Sequence, residues 1–188
     1  MITAAADGSS LANPGPAGWA WYIDDDRWAA GGWPHGTNNM GELMAVLDLL
    51  NSTAGTDEEL LVLCDSQYVI NSLTAWLPGW KRRGWKKGDG KPVLNADLMK
   101  QLDRALQGRR VRFEWVKGHT GHPLNEAADE RARAAATAHR DGAPVARGTP
   151  SSWNSEVFTF IKSINTNVVL PIAASAFSCS ALSPSTKI

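Results

Sequence analysis

Four carboxylates fall at points where separate segments of an α/β protein would meet. Asp7 follows a short apolar run at the start of the chain, and Asp65 follows the apolar run Leu60–Cys64. A carboxylate that ends a buried strand lies at the carboxyl edge of the sheet, where α/β proteins place their ligand sites. Glu42 and Asp129 fall near the starts of two helical segments. Clustered carboxylates repel one another unless hard cations such as Mg²⁺ or Mn²⁺ neutralise them, so the pattern indicates metal-dependent phosphodiester cleavage.

Each of these carboxylates also has an ordinary structural explanation. Glu42 and Asp129 could complement the dipoles of their helices. Asp65, which precedes Ser66, could cap a helix, and Asp7 with the glycine after it is by itself a turn signal. Taken singly, these explanations are as good as catalysis, so the choice depends on the surrounding motifs.

The segments that would position the carboxylates alternate between strand and helix periodicity. Strands are predicted over 2–7, 19–24, 27–33, 60–64 and 111–116, and helices over 40–53, 66–77, 95–106 and 125–139. Pro78-Gly79 is predicted to close the second helix. The continuous apolar run Leu60–Cys64 is typical of a central parallel strand that is buried on both faces. The order predicts an α/β fold in which helices pack on a mixed sheet.

Charge density separates the end of the chain from the rest. The 188 residues carry 19 basic and 19 acidic side chains, a formal net charge of zero, yet only Glu156, Lys162 and Lys187 are charged in 148–188. The Gly- and Pro-containing stretch that begins at Asp141 is typical of a linker. We predict a catalytic domain over 1–141, followed over 142–188 by a linker and a Ser-, Thr- and Asn-rich tail that is disordered or weakly structured.

Composition excludes several classes of protein. Two cysteines, Cys64 and Cys179, cannot form a disulfide framework or a cysteine-rich zinc site. No signal peptide is readable at the N-terminus, and no run approaches the roughly 18 apolar residues that span a bilayer. These features predict a cytoplasmic protein with no membrane partner.

The segment Trp80–Lys91 concentrates positive charge beside tryptophans. Its six basic residues stand against a single acid, Asp89; they are Lys81, Arg82, Arg83, Lys86, Lys87 and Lys91. Trp76, Trp80 and Trp85 could offer flat apolar faces to sugars, while the basic side chains bind phosphates. The alternative is a solvated run of charge whose tryptophans pack inward. We name this segment the basic segment.

The motifs, taken in order along the chain, resemble type 1 ribonucleases H, and the bacterial ribonuclease HI branch closely. The resemblance is collinear from about residue 2 to residue 139. It is carried by Asp7-Gly8-Ser9-Ser10, Asn13-Pro14-Gly15-Pro16, Thr37-Asn38-Asn39, Gly41-Glu42-Leu43, Asp65-Ser66-Gln67-Tyr68-Val69, Trp80-Lys81-Arg82-Arg83-Gly84-Trp85-Lys86, Lys91-Pro92-Val93, Asn95, Asp97-Leu98, Trp115-Val116-Lys117-Gly118-His119, Gly121-His122-Pro123, Asn125-Glu126, Ala128-Asp129 and Ala132.

This resemblance implies both a fold and an activity. The fold is a five-stranded mixed sheet, with three antiparallel strands and further parallel strands, flanked by helices. The activity is endonucleolytic hydrolysis of the RNA strand of an RNA–DNA hybrid, which leaves 5′-phosphate and 3′-hydroxyl ends. It implies a monomer that uses two Mg²⁺ ions per active site, with Mn²⁺ as the alternative.

The resemblance also assigns catalytic roles by position. Asp7, Glu42, Asp65 and Asp129 match the metal-binding carboxylates, with Asp7 expected to bridge both ions. His119, in a glycine-flanked loop, matches the histidine that assists proton transfer and product departure. A zinc site at His119 and His122 is disfavoured because no second pair of His or Cys ligands accompanies them, so a structural role is expected for His122.

Further positions match residues that contact the substrate. Asn13, Asn39 and Gln67 are expected against the grooves, where amides can bind the 2′-hydroxyl, and Thr37 and Asn95 on a DNA phosphate. Asn38 is expected at the substrate or in the turn before its helix. Two alternatives stay open: a nuclease of the same fold that cuts other nucleic acids, and a non-catalytic module that binds hybrids.

Overall fold

The strands and helices follow the predicted order in the computed structural model, which describes residues 1–148. The strands are β1 (Ile2–Ser10), β2 (Gly15–Asp24), β3 (Arg27–Gly36), β4 (Leu60–Cys64) and β5 (Val111–Trp115). The helices are α1 (Asn38–Ser52), α2 (Gln67–Asn71), α3 (Leu77–Arg82), α4 (Ala96–Leu106) and α5 (Pro123–Asp141). A π-helical turn, Ser72–Trp76, joins α2 to α3 without a break.

The five strands form one mixed sheet in the order β3-β2-β1-β4-β5. β1, β2 and β3 pair antiparallel, whereas β4 pairs parallel with both β1 and β5. The predicted α/β fold with a five-stranded mixed sheet is therefore confirmed. The central position of β4 explains its continuous apolar sequence, because helices cover both faces of the sheet.

Alternating residues of β1 show how the two faces are covered. Ala4 and Ala6 are buried in a cluster with Leu43 of α1. Ala5 lies between them and is buried in a second cluster with Ala128 of α5. Because successive strand residues point to opposite faces, α1 and α5 pack on opposite sides of the sheet.

Two predicted boundaries are wrong. Pro78-Gly79 does not close a helix, because Pro78 occupies the first turn of α3, where its missing N–H has no helical partner to lose. Asp7 does not end its strand, because β1 continues to Ser10 through its pairing with β2. The parallel pairing of β1 with β4 nevertheless stops at Ala5 and Leu63, just before Asp7. Asp7 therefore still lies where these two strands separate.

The predicted linker begins where α5 ends. Gly142 caps α5 in the left-handed conformation, and its N–H donates to Ala138 O. Val145 packs against a small buried cluster that includes Ala132 of α5. Residues 149–188, which hold most of the predicted tail and Cys179, lie outside the described residues. None of the helices in the described part of the chain is long and apolar enough to cross a membrane.

Candidate active site

The point where β1 and β4 separate carries three carboxylates. Asp7 lies on β1, Asp65 follows β4 directly, and Glu42 lies in the second turn of α1. Their carboxylate oxygens can all lie within 4.8 Å of one another. The structure thus brings together three of the four carboxylates that the sequence singled out.

Glu42 is fixed by two hydrogen bonds to its carboxylate. Asn38 Nδ2 donates to Glu42 Oε1 at 2.8 Å, and Ser66 Oγ donates to Glu42 Oε2 at 2.6 Å. Ser66 also caps α2 by accepting from Val69 N. Asn38 therefore contacts the carboxylate cluster directly. From the sequence, Asp65 is a possible cap and Ser66 has no role of its own, because nothing local shows a partner 24 residues away.

Glycine at position 8 allows α1 to approach β1 closely enough for this arrangement. A Cβ atom on Gly8 would overlap the backbone nitrogen of Glu42 and would lie 2.6 Å from the carbonyl carbon of Gly41. Thr37 begins the helix, and its Oγ1 accepts from Met40 N at 3.2 Å. The start of α1, and Glu42 with it, is therefore set by direct contact with β1.

Burial makes this cluster unfavourable for negative charge. Burial, followed by the charge of Asp65, raises the pKa of Asp7 from 3.8 to about 8. Burial also raises the pKa of Glu42 from 4.5 to about 7, against the opposing effect of the hydrogen bond from Ser66. The pKa of Asp65 is raised for the same leading reason. Two buried carboxylates and a partly buried one that repel one another are a donor set that fits hard divalent cations.

Asp129 belongs to a second, adjacent group of ligand atoms with His119 and Glu126. His119 Nδ1 lies 3.5 Å from Asp129 Oδ2, and Arg133, one turn further along α5, pairs with the same oxygen at 2.6 Å. Asp129 also raises the pKa of Asp7, so the two groups interact. Glu126 was not predicted as a site residue; it accepts a hydrogen bond from Gly121 N at 3.1 Å in the loop before α5.

The histidine loop connects β5 to α5. His119 has a positive φ of 54° and a side chain that is 68% exposed. His122 is instead the N-cap residue of α5, and its Nδ1 is buried without a hydrogen-bond partner in the described residues. Only His119 of these two belongs to a group of potential metal ligands in the described chain.

The basic segment begins in the second half of α3 and continues through the turns that follow it. Trp76 is 43% exposed, whereas Trp80 is buried at 8% and supports it from beneath, with ring centroids 5.7 Å apart. Trp85 is half-buried against the core. Lys81 pairs with Asp103 at 2.9 Å and Lys91 with Asp89 at 3.7 Å.

The remaining basic side chains of this segment have no carboxylate partner within residues 1–148; they are Arg82, Arg83, Lys86 and Lys87. Their charge is therefore available to phosphates. Arg83 differs in that its Nε donates to Lys86 O at 3.2 Å, which orders the turn.

The amide residues predicted at the substrate lie beside the start of α1, at the start of α2 and before α4. Asn13 accepts from Asn38 N at 3.3 Å, and Asn39 follows in the first turn of α1. Gln67 is exposed at the first position of α2. Asn95 precedes α4 in the left-handed conformation. Asn39, Gln67 and Asn95 lie at the starts of helices, whereas Asn13 lies in the loop between β1 and β2.

Fold and site together define a class of protein. A sheet of this order, with carboxylates where β1 and β4 separate and further acidic residues on α5, is the arrangement of nucleases with the ribonuclease H-like fold.

Comparison with known proteins agrees with this class. The family model described as RNase H matches residues 1–137. A ribonuclease H of Tropheryma whipplei is 58% identical over 135 residues, which are 72% of this chain and 84% of that protein. A ribonuclease H of Pectobacterium atrosepticum is 50% identical over 135 residues, 70% of this chain and 87% of that protein. The crystal structure of LC9-RNase H1, a type 1 RNase H with the type 2 active-site motif, superimposes with a TM-score of 0.63 at 28% identity, covering 86% of this chain and 84% of that one.

The chain belongs to the RNase H family, and its activity is that of a ribonuclease H, endonucleolytic hydrolysis of the RNA strand of RNA–DNA hybrids. The acidic cluster and the family together fit the use of divalent metal ions. A second family model, described as TrbL/VirB6 plasmid conjugal transfer like protein, matches residues 139–182. Most of that range lies outside the described residues.

Proposed function

We propose that this enzyme cleaves the RNA strand with two Mg²⁺ ions held by Asp7, Glu42, Asp65 and Asp129. The observation that carries the proposal is the cluster of Asp7, Glu42 and Asp65, whose oxygens can lie within 4.8 Å of one another. Oxygen-only ligands favour Mg²⁺ or Mn²⁺ over zinc. When bound, such ions activate the attacking water and stabilise the charge that develops on the leaving oxygen.

Asp7 would hold an ion together with ligands of either acidic group. Its pKa is raised first by burial and then by the charges of Asp65, Asp129 and Glu42, which belong to the two groups. Glu42 is held in orientation by Asn38 and Ser66, and we assign Asn38 to this role rather than to a groove of the substrate. The chain therefore presents its ligands without a large rearrangement of α1.

His119 is proposed to move the proton that completes the reaction. Its Nδ1 lies 3.5 Å from Asp129 Oδ2, so the other ring nitrogen is left to protonate the departing 3′-oxygen. That proton transfer yields the 3′-hydroxyl end, while the attacking water becomes part of the 5′-phosphate. An imidazole is suited to this step because it changes charge near neutral pH.

Substrate recognition is proposed to divide between the two strands. Asn13, Asn39 and Gln67 would bind the 2′-hydroxyls of the RNA strand through their amides. Thr37 and Asn95 are assigned to a DNA phosphate, and the basic segment with Trp76 extends that contact. These contacts avoid base edges, so weak sequence preference is expected.

The function is tested by incubating the protein with a labelled RNA–DNA hybrid and Mg²⁺, in parallel with duplex RNA and duplex DNA. We expect cleavage of the RNA strand of the hybrid alone, with 5′-phosphate products. Equal cleavage of duplex DNA would favour a nuclease of broader specificity. Tight binding of the hybrid without cleavage would favour a non-catalytic binding module.

Removing the unpaired charges of the basic segment should weaken substrate binding. The triple variant Arg82→Gln, Lys86→Gln, Lys87→Gln is expected to raise KM on the order of tenfold at low salt, with kcat unchanged. Each lost phosphate contact should flatten the slope of log KM against log salt by about 0.9 or less.

A matched variant separates this effect from loss of net charge. Arg110→Gln, Arg112→Gln, Arg140→Gln removes three arginines outside the basic segment and should leave KM nearly unchanged. If both triple variants shift KM equally, the basic segment has no special contact with the substrate.

We also propose that residues 1–141 form the catalytic domain and that it acts as a monomer in the cytoplasm. The helix that carries Asp129 ends at Asp141, so all four proposed metal ligands lie within 1–141. A chain shortened after Gly148 should retain full activity on the hybrid and elute as a monomer by light scattering. Loss of activity would place a required element in 149–188.

A further inference from the structure

The carboxylate of Asp65 is held differently from its two neighbours in the cluster. Asp7 accepts from Gly8 N at 2.7 Å, and Glu42 accepts from two side chains. Within residues 1–148, no other side chain donates a hydrogen bond to the Asp65 carboxylate, which is only partly buried. The position of Asp65 therefore depends on its main chain.

The main chain at Asp65 lies between two elements and belongs to neither. β4 ends at Cys64, and α2 begins at Gln67 with Ser66 as its N-cap. The Asp65 carbonyl is thus outside the hydrogen-bond patterns of both strand and helix. It accepts from the indole Nε1 of Trp115 at 3.0 Å, across 50 residues of sequence.

The sheet fixes the position of Trp115, but its side chain is only half buried. It is the last residue of β5, in register with Cys64, and Val116 N donates to Cys64 O at 3.0 Å directly after it. Its side chain is nevertheless 49% exposed, which is high for a tryptophan in a covered sheet. The specific contact that Trp115 makes is therefore the hydrogen bond from its indole N–H.

The loop that follows Trp115 makes a second contact with Asp65. A Cβ atom on Gly118 would overlap Asp65 Oδ2 and lie 3.2 Å from its Cγ, so the backbone of the loop packs directly on the carboxylate. His119 follows, with its Nδ1 beside Asp129. The segment from Trp115 to His119 therefore contacts Asp65 at both its carbonyl and its carboxylate before it reaches the second acidic group.

We propose that Trp115 is a positioning residue for catalysis, whose indole N–H holds the main chain at Asp65 and thereby sets the carboxylate against Asp7 and Glu42. The inference rests on the proposed metal site. Trp115 Nε1 contacts the carbonyl of Asp65 rather than the carboxylate that would hold an ion. It acts through Asp65, as partners that orient metal ligands do elsewhere.

The test uses Trp115→Phe, which keeps an aromatic ring at the end of β5 and removes the indole N–H donor together with part of the ring system. We expect kcat on the hybrid to fall about tenfold, the lower end of the effect of removing a partner that orients a metal ligand, with KM for the hybrid unchanged. Titration calorimetry of the free protein with Mg²⁺, in the absence of nucleic acid, should show affinity about tenfold weaker.

Trp21→Phe is the matched control. Trp21 Nε1 donates to Asp48 Oδ2 at 2.7 Å, so this variant also loses one indole hydrogen bond, at a pair outside the carboxylate cluster. Urea unfolding measures the stability of both variants. Trp21→Phe should lose stability while keeping the wild-type kcat and Mg²⁺ affinity.

Three results would overturn the proposal. The first is an unchanged kcat and Mg²⁺ affinity in Trp115→Phe. The second is a raised KM at unchanged kcat, which would make Trp115 a substrate contact. The third is an equal loss of kcat in Trp115→Phe and Trp21→Phe. The calorimetric comparison separates an error in the role of Trp115 from an error in the proposed function. Wild-type protein that binds Mg²⁺ but cuts no hybrid refutes the function, and the affinities of the two variants still decide the role of Trp115.

Discussion

Asp7→Asn is expected to abolish hydrolysis of the hybrid and, at the same time, to stabilise the metal-free protein. Loss of a ligand shared by both proposed ions removes several kcal/mol of transition-state stabilisation, on the order of a 1,000-fold decrease in kcat. The decrease is measured with saturating labelled hybrid at fixed Mg²⁺, since the effect should lie in kcat rather than in KM.

The stability change follows from the direction of the pKa shift. The pKa of Asp7 is raised from 3.8 to about 8 in the folded state, so its ionisation opposes folding. This cost is absent below the unfolded pKa, grows as the pH rises from the unfolded to the folded pKa, and is complete above the folded pKa. Asparagine removes the charge, so the variant should have the higher Tm near pH 8 without Mg²⁺, and the difference should vanish below about pH 4.

Mg²⁺ should reverse this order of stability. An ion that binds only the folded protein raises its stability, and the wild type holds that ion more tightly than Asp7→Asn. Thermal unfolding with and without Mg²⁺ should therefore show a larger gain in Tm for the wild type. An equal gain in both proteins would exclude Asp7 as a principal ligand.

Asp48→Asn is the control for this substitution. Asp48 on α1 is a partly buried carboxylate whose pKa is also raised by burial, but its partner is Trp21 rather than another carboxylate of the cluster. Asparagine can still accept from the indole through Oδ1. This variant should keep wild-type kcat, and equal inactivation of both variants would mean that Asp7 acts through the fold.

The parts of the site that could be predicted from sequence are those set by local patterns. The apolar run Leu60–Cys64 has the bounds of β4, and its end fixes the position of Asp65. The motifs around Glu42 and Asp129 place both residues near helix starts, as the structure does. These features depend on neighbours in the chain, which periodicity can report.

Features that depend on contacts between distant segments could not be predicted in the same way. The bonds from Ser66 to Glu42 and from Trp115 to Asp65 join residues 24 and 50 positions apart. The extension of β1 beyond Asp7 depends on pairing with β2. Each of these features depends on tertiary contacts, which the local sequence pattern does not report.

Gly8→Ala tests the close contact that sets the spacing between Asp7 and Glu42. The added Cβ would overlap the backbone nitrogen of Glu42 and lie 2.9 Å from Asn38 O. Because these are backbone atoms of a helix rather than flexible side chains, α1 must shift away from β1. We expect a decrease in unfolding free energy of about 2 kcal/mol, as for other overpacked sites.

The effect on activity should exceed what lost stability explains. A shift of even about 1 Å in the proposed ligands can cost on the order of 100-fold in rate, so kcat should fall by about that factor while most of the protein stays folded. Gly108→Ala provides a variant that is destabilised for another reason. Gly108 has a φ of +72° with no atom within 4 Å of an added Cβ, in the turn before β5.

Comparing the two alanine variants separates geometry from stability. Gly108→Ala should lose about 1–2 kcal/mol through backbone strain and keep its activity, because it perturbs the end of the sheet opposite the carboxylates. Both are assayed at a temperature where urea titration shows each to be folded. If Gly8→Ala cleaves the hybrid at the wild-type rate, α1 can move without displacing Glu42, and the spacing of the two carboxylates must then depend on Asn38 and Ser66 instead.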